Sequence, residues 1–169
     1  MWVHIFRHGI AIDPTDPACP TDPERFLTDK GKARTRAGAR GLKAIGIVPD
    51  LIVASPYVRA RQTAEILRDE LGPDTPLEES DALTPMADPI RIVELLRVRA
   101  EQNVMCVGHA PHLDLLVAYL AGTDDPITSL KKAGCASLEV RTGRPGAGTG
   151  LLVGLYPASV LRSLGGADD

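Results

Sequence analysis

An arginine and a histidine follow the first apolar stretch of the chain, in the sequence VHIFRHGIA at residues 3–11. The Arg7 guanidinium keeps its charge inside a protein and His8 titrates near neutral pH, so at the end of a buried strand both need a partner. An anion would be such a partner, and the two side chains would then form a binding site. The alternative is an ordinary surface loop after an edge strand.

Two later segments carry the same residue types after an apolar stretch. The sequence LIVASPYVRA at residues 51–60 contains Arg59, and MCVGHAP at residues 105–111 contains His109. If these stretches are parallel strands, their carboxyl ends meet at one edge of a sheet, where folds of this class bind ligands. We therefore expect one cleft to contain four side chains, those of Arg7, His8, Arg59 and His109.

These residue types favour phosphate over a metal ion, because two permanent cations repel a metal but hold a phosphate through paired hydrogen bonds. Free N–H groups at the start of a helix predicted after Pro56 would add to the anion site. Nearby positive charge should lower the pKa of His8 and keep its ring neutral, and hence nucleophilic. Gly9 should allow the backbone to turn sharply beneath the ligand.

The chemistry predicted for such a site is phosphoryl transfer to Nε2 of His8 and then to water. Arg7, Arg59 and His109 would neutralise the charge of the phosphoryl oxygens. A phosphohistidine intermediate is therefore the core of the predicted mechanism.

The elements expected to position these residues alternate between strand and helix. Apolar stretches predict strands at residues 2–6, 51–54, 103–107, 136–140 and 151–156. Capping signals predict helices at residues 29–45, from Ser55 onward, at residues 89–100 and from a turn at 108–111 to Tyr119. This order predicts a three-layer α/β/α sandwich with a mainly parallel central sheet.

The composition favours a single domain over residues 1–169 and no nucleic-acid or membrane partner. With 44% hydrophobic residues, 24% charged residues and a formal net charge of -3, the chain has no general attraction to polyanions. No apolar run approaches the roughly 20 residues that span a bilayer, and strand-like residues from Trp2 leave no room for a signal peptide. The three cysteines have no C-x-x-C spacing, so we expect a reducing, cytoplasmic location.

Four motifs resemble, in order and spacing, those of the histidine phosphatase (phosphoglycerate mutase-like) superfamily. The motifs are RHG at residues 7–9, LTDKG at 27–31, SPYVRARQTAEIL at 55–67 and VGHAP at 107–111. The resemblance covers about residues 2–122, and the SPxxRAxQTA pattern is its specific part. RFLT at 25–28, LTP at 83–85 and the compact length look most like the SixA-type phosphohistidine phosphatases.

The resemblance implies a phosphoglycerate mutase-like fold and a hydrolase that uses neither a metal nor a cofactor. It implies that His8 is the nucleophile. The implied phosphate ligands are Arg7, Arg59, His109 and, from the loop, Arg25. Phe26 stands where similar sequences have proline, and the alternative for Arg25 is an exposed loop charge.

The carboxylate proton donor that is usual in this superfamily has no clean match in the sequence. The candidates are Glu78, Glu79, Asp81 and Asp88. An alkoxide leaving group needs a well-placed general acid, whereas an imidazole that leaves a phosphoramidate is readily protonated. The missing motif therefore favours phosphohistidine substrates.

We interpret the chain as a metal-independent phosphatase that removes phosphate from phosphohistidine on a signalling protein, namely a histidine-containing phosphotransfer domain. One alternative is a phosphomonoesterase for a small phosphorylated metabolite, such as a sugar or nucleotide phosphate. The other is a non-catalytic phosphate-binding signalling module. The intact set of two arginines and two histidines argues against the module.

Other polar residues have simpler structural explanations. His4 lies inside the first strand and Cys106 inside another apolar strand, so both are expected to be structural. His112 follows His109 at helical spacing, but the neighbouring arginines oppose a zinc pair. Lys131–Lys132 is expected to be a solvated pair, the alternative being a basic rim for an acidic or phosphorylated partner.

Overall fold

A computed structural model describes residues 1–166 and shows one six-stranded sheet. The strands are β1 (Trp2–Arg7), β2 (Leu51–Ala54), β3 (Leu77–Glu79), β4 (Asn103–Gly108), β5 (Cys135–Val140) and β6 (Gly150–Tyr156). Their order across the sheet is β3-β2-β4-β1-β5-β6. The pairs β1–β4, β2–β4 and β2–β3 are parallel, whereas β5 is antiparallel to both β1 and β6. The predicted mainly parallel sheet is confirmed.

Helices cover both faces of this sheet. They are α1 (Asp29–Ala44), α2 (Val58–Leu71), α3 (Pro89–Arg97), α4 (His112–Ala121) and α5 (Ala158–Leu164). One core contains apolar side chains of α3 and α4, and the other contains those of α1, α2 and α5. Along β1, Val3 and Ile5 belong to the first core and Phe6 to the second, as the alternation of a strand requires. The predicted three layers are confirmed.

Two helices begin as their capping sequences predict. The Thr28 hydroxyl accepts a hydrogen bond from the Gly31 N–H at 3.0 Å, and the Asp88 carboxylate accepts one from the Ile90 N–H at 2.9 Å. The second of these helices, α3, ends at Arg97, three residues before the predicted end.

The start of α2 differs from the prediction. The helix begins at Val58, and Ser55 precedes it without capping it. The Ser55 N–H donates to the Val107 carbonyl at 2.9 Å, so the chain is still paired with β4 at this point. The sheet therefore competes successfully with the serine-proline capping signal.

Two short elements were not predicted. The strand β3 has three residues, two of which are Glu78 and Glu79, so it lacks the apolar pattern of the other strands. The seven-residue helix α5 places a single fully buried side chain, Leu161, against α1, which is too little for a helical periodicity.

The register of the parallel strands brings three strand ends together. Arg7 is opposite Gly108 in the β1–β4 pair, and Ala54 is opposite Val107 in the β2–β4 pair. The residues that follow each strand therefore emerge at the same edge of the sheet, as expected for a site at the carboxyl ends of parallel strands.

Candidate active site

Two imidazole rings meet at this edge, one after β1 and one after β4. The ring centres of His8 and His109 are 5.0 Å apart, with an angle of 54° between the ring planes. Both side chains are buried, and the His8 N–H donates to the Gly108 carbonyl at 3.0 Å. The structure thus brings together the two histidines predicted for the site, although they are distant in the chain.

The hydrogen bond of the His8 ring determines which nitrogen is free. Its Nδ1 lies 2.7 Å from the Gly9 carbonyl oxygen, and because a carbonyl only accepts, Nδ1 carries the proton. In the neutral ring, Nε2 then has a free lone pair. Burial is the main cause of a low pKa at His8 and the Gly9 hydrogen bond opposes it; with the charges of Arg59, Arg7 and Lys132, the net pKa is about 3. Positive charge was predicted as the cause, but burial has the larger effect.

Ser55 and Tyr57 hold the ring of His109. The Nε2 atom of His109 lies 2.9 Å from the Ser55 hydroxyl oxygen. The Tyr57 ring stands edge-on to the imidazole, with the ring centres 5.1 Å apart. Burial, followed by the charges of His8 and Arg59, lowers the pKa of His109, so its ring is neutral at pH 7. Ser55 therefore has a positioning role in place of the predicted helix cap.

Arg7 is fixed by a segment before β5 whose sequence does not predict a contact with the site. Its Nη1 donates to the Leu130 carbonyl at 2.7 Å. The Leu130 N–H and the Thr128 hydroxyl both donate to the buried Asp114 carboxylate, at 2.9 and 2.7 Å. Asp114 thus positions the acceptor of Arg7. The signal in the sequence was a single acidic residue inside the apolar helix HLDLLVAYLA.

Arg59, in the first turn of α2, is buried and bonded to the long loop between β1 and α1. Its Nη1 donates to the Asp22 carbonyl at 2.6 Å, and its Nη2 donates to the Asp22 carboxylate at 3.2 Å. Burial raises the pKa of Asp22, but the hydrogen bonds and charges of Arg25 and Arg59 together bring it below its usual value. The Asp22 carboxylate is therefore bonded to Arg59, one of the predicted phosphate ligands.

Arg25 makes its hydrogen bonds within the same loop. Its Nε and Nη2 donate to the Ile12 carbonyl at 3.1 and 2.8 Å, and its Nη1 donates to Asp22 at 3.0 Å. The structure therefore connects Arg25 to Arg59 through Asp22, whereas Arg7 and Arg59 are close enough to His8 and His109 for their charges to lower the pKa values of both rings.

The four carboxylates considered as proton donors have other surroundings. Glu78 pairs with Arg99, and Glu79 lies 4.0 Å from Arg61. Asp88 caps α3, and Asp81 is exposed at the start of a short 3-10 turn. Within residues 1–166, none of the four has a hydrogen bond or ion pair with either histidine of the site.

Gly9 is needed for space. A Cβ atom at this position would lie 2.4 Å from the Thr35 hydroxyl oxygen, which is too close for any side chain. The Gly9 N–H donates at 3.0 Å to the Thr63 hydroxyl, which in turn donates to the Arg59 carbonyl at 2.7 Å. Gly9 does not have a positive φ, so steric space and not the left-handed conformation requires glycine here, and the expected sharp turn beneath the ligand stays a prediction.

Cys106 has the structural surroundings expected for it. Burial raises the pKa of the Cys106 thiol to about 12, so it packs as an apolar group. Within residues 1–166, no group of three or more His, Cys, Asp or Glu side chains has an arrangement that could hold a metal ion. No helix in the described part of the chain is long and apolar enough to cross a membrane.

Comparison with known proteins assigns the chain to a family. The family model of the histidine phosphatase superfamily (branch 1) matches residues 3–87, a segment that contains His8 and Arg59. Phosphohistidine phosphatase SixA of Escherichia coli K12 is 32% identical over 129 residues, 75% of this chain and 78% of SixA. The chain belongs to the histidine phosphatase superfamily.

Two further similarities support the assignment of the chain to this superfamily. An uncharacterised protein of Picosynechococcus is 37% identical over 143 residues, 82% of this chain and 84% of that protein. The structure of the protein histidine phosphatase SixA complexed with tungstate superposes with a TM-score of 0.81 and 28% identity, over 94% of this chain and 97% of SixA. The fold is therefore the phosphoglycerate mutase-like fold of SixA, and the chain is a phosphatase, a hydrolase of phosphorylated substrates.

Proposed function

We propose that this histidine phosphatase removes phosphate from phosphohistidine on a signalling protein, through a phosphoryl group carried by His8. The observation that carries the proposal is the 2.7 Å bond from Nδ1 of His8 to the Gly9 carbonyl. It leaves Nε2 with its lone pair in a ring that burial keeps neutral. A nucleophile in this state lies beside a second imidazole and two guanidinium groups.

The first step is the attack of Nε2 of His8 on phosphorus. A bond forms between Nε2 and phosphorus while the bond from phosphorus to the substrate imidazole breaks, and the leaving nitrogen takes up a proton. Arg7, Arg59 and His109 stabilise the charge of the three phosphoryl oxygens during transfer.

The second step is hydrolysis of the phosphoryl group on His8. Water attacks phosphorus, the bond from phosphorus to Nε2 breaks, and the electron pair of that bond returns to the ring. The products are inorganic phosphate and neutral His8, which is ready for another cycle. The same three side chains stabilise the oxygens in both steps, so no rearrangement of the site is required between them.

The surroundings of the carboxylates support phosphohistidine as the substrate class. An ester substrate would need a general acid for its alkoxide, and the four candidate carboxylates make their contacts elsewhere. A phosphoramidate needs less assistance, because the leaving imidazole nitrogen is basic enough to be protonated by solvent. SixA, the relative at 32% identity, bears the name phosphohistidine phosphatase.

The test is turnover of a histidine-containing phosphotransfer domain phosphorylated on histidine, compared with a panel of sugar and nucleotide phosphates. We expect kcat/KM to be highest for the phosphorylated domain. A rapid alkaline quench should trap acid-labile phosphate on the wild-type chain and on His4→Asn, and none on His8→Asn.

Each other result selects an alternative. A higher kcat/KM for a metabolite would identify a small-molecule phosphomonoesterase. Binding of the phosphorylated domain without hydrolysis or trapped phosphate would identify a phosphate-binding module, and the enzymatic proposal would fail.

A further inference from the structure

A groove of about 430 Å³ adjoins the site on the side of Arg7. Its lining includes five cationic residues, namely Arg7, Arg34, Lys131, Lys132 and Arg162. Among residues 1–166, no carboxylate lines it, although the whole chain has a formal net charge of -3. The groove is thus positively charged although the chain as a whole is negatively charged, and we call it the basic groove.

The cations of the basic groove come from four separate parts of the fold. Arg7 ends β1, Arg34 lies in α1, Arg162 lies in α5, and the two lysines precede β5. Within the described residues, no carboxylate lies within ion-pair distance of Arg34, Lys131 or Lys132. Their charge is therefore available to an anion from outside the chain.

The lysine pair is fixed in position relative to His8. The Ala133 N–H, directly after the pair, donates to the Arg7 and His8 carbonyls at 3.0 and 3.2 Å. The Arg7 N–H donates to the Gly134 carbonyl at 3.0 Å, and the Arg7 side chain holds Leu130, directly before the pair. Hydrogen bonds on both sides thus tie the lysines to the strand end that carries His8.

We propose that the basic groove binds acidic side chains of the phosphoprotein, next to its phosphohistidine, while the phosphoryl group lies at His8. This inference rests on the proposed function. Arg7 belongs to both the site and the groove, so one continuous substrate segment can reach both. Lys131 and Lys132 are exposed, and at a rim such charges increase the association rate of a partner of opposite charge.

The chemistry of the groove favours carboxylates on a protein over an apolar or neutral segment. Ammonium and guanidinium groups both form charge-assisted hydrogen bonds with carboxylates. Because the lysines are exposed, their contribution should decrease as salt increases. The groove thereby gives the phosphatase a preference among phosphohistidine substrates that the four residues around the phosphoryl group do not supply.

The test uses two synthetic phosphohistidine peptides of equal length. In one, glutamate and aspartate flank the phosphohistidine, and in the other glutamine and asparagine replace them. The groove variant is Arg34→Gln with Lys131→Gln. The control variant, Arg97→Gln with Arg144→Gln, removes the same charge from two exposed residues outside the groove.

We expect wild type and the control variant to prefer the acidic peptide by about tenfold in kcat/KM, mainly through KM. In the groove variant this ratio should fall to about threefold or less, and in wild type it should decrease as salt is added. The neutral peptide reports any general loss of folding, because such a loss lowers both values and leaves the ratio unchanged.

Three results would overturn the inference while leaving the proposed function intact. They are equal turnover of both peptides by wild type, a preserved preference in the groove variant, and an equal loss in the control variant. Failure of wild type to hydrolyse either peptide has another meaning, since both carry phosphohistidine: the proposed function then fails and the basic groove has no substrate.

Discussion

One buried histidine, His4, lies inside β1 and another, His8, directly follows the strand, and the two have different surroundings. His4 stacks on Trp2 with an angle of 4° between the rings, and its Nδ1 lies 2.8 Å from the Ser137 hydroxyl oxygen. His8 lies beside His109 and is close enough to two arginines for their charges to lower its pKa. Both rings are neutral at pH 7, because burial lowers their pKa values to about 4 and about 3.

The cavities beside His4 and beside Arg7 also differ in the charge of their lining residues. The cavity of about 240 Å³ beside His4 has no charged side chain in its lining within residues 1–166, whereas five cations line the basic groove beside Arg7. Burial is thus sufficient to make an imidazole neutral, but it does not provide a place for phosphate. We infer that the cations distinguish a catalytic histidine from a structural one.

The largest expected effect comes from removing one histidine at a time. His8→Asn should lower kcat/KM for a phosphohistidine substrate by about a thousandfold or more, because no phosphoryl acceptor remains. His4→Asn should change kcat/KM by less than about threefold, since the His4 ring contacts Trp2 and Ser137 and no residue of the site. Both are measured well below the unfolding temperature of each variant. Comparable losses of kcat/KM in the two variants would contradict the proposed difference between His4 and His8.

A smaller effect is expected when a charge of the site is removed and its histidines are kept. Arg59→Gln should lower kcat/KM by about a hundredfold, as for the loss of one strong donor to the phosphoryl oxygens. The matched control is Arg61→Gln, two residues later in α2, where the guanidinium contacts Glu65 and Glu79 at 4.0 Å. The control should change kcat/KM by less than about twofold. Equal losses of kcat/KM in the two variants would mean that the position of Arg59 in the first turn of α2 is unimportant for catalysis.

The sequence predicts the framework of the site because the signals are local. The apolar stretches that form β1, β2 and β4 end directly before Arg7, Ser55 and His109, and parallel pairing brings such ends together. The capping residues Thr28 and Asp88 likewise act on N–H groups two or three positions away. These interactions leave a pattern within a short window, so a single sequence reveals them.

The supporting residues of the site could not be predicted in this way. Asp22 reaches Arg59 across 37 positions, and Asp114 holds Leu130 across 16 positions. Neither contact follows from a period or a motif, because each joins segments that are neighbours only in the folded chain. Ser55 was misinterpreted for the same reason, since its hydroxyl binds His109, 54 positions later.

Replacing Asp22 with a neutral residue would increase the positive charge of the site. The carboxylate is exposed to solvent on one side and contacts Arg59, so it competes with an added oxyanion for the same guanidinium. Asp22→Asn should lower the inhibition constant of orthovanadate by about threefold, the effect of one partly exposed ion pair. The control is Glu24→Gln in the same turn, where the carboxylate bonds Thr21 instead. Unchanged inhibition in Asp22→Asn would show that its carboxylate does not compete.

The smallest expected effect concerns the pH dependence of stability, in which His4 and His8 behave alike. The buried rings of His4 and His8 stay neutral down to pH values near 4 and 3, whereas in the unfolded chain they take up protons near pH 6.5. The unfolded state therefore binds more protons in this window, and the free energy of unfolding should decrease as pH falls from 7 to 5. Urea unfolding at several pH values should show a slope that His4→Asn and His8→Asn each reduce by about one proton. A slope that only one of the two variants reduces would mean that burial does not lower the pKa values of both rings. The difference between the two histidines would then arise from protonation and not from the surrounding cations.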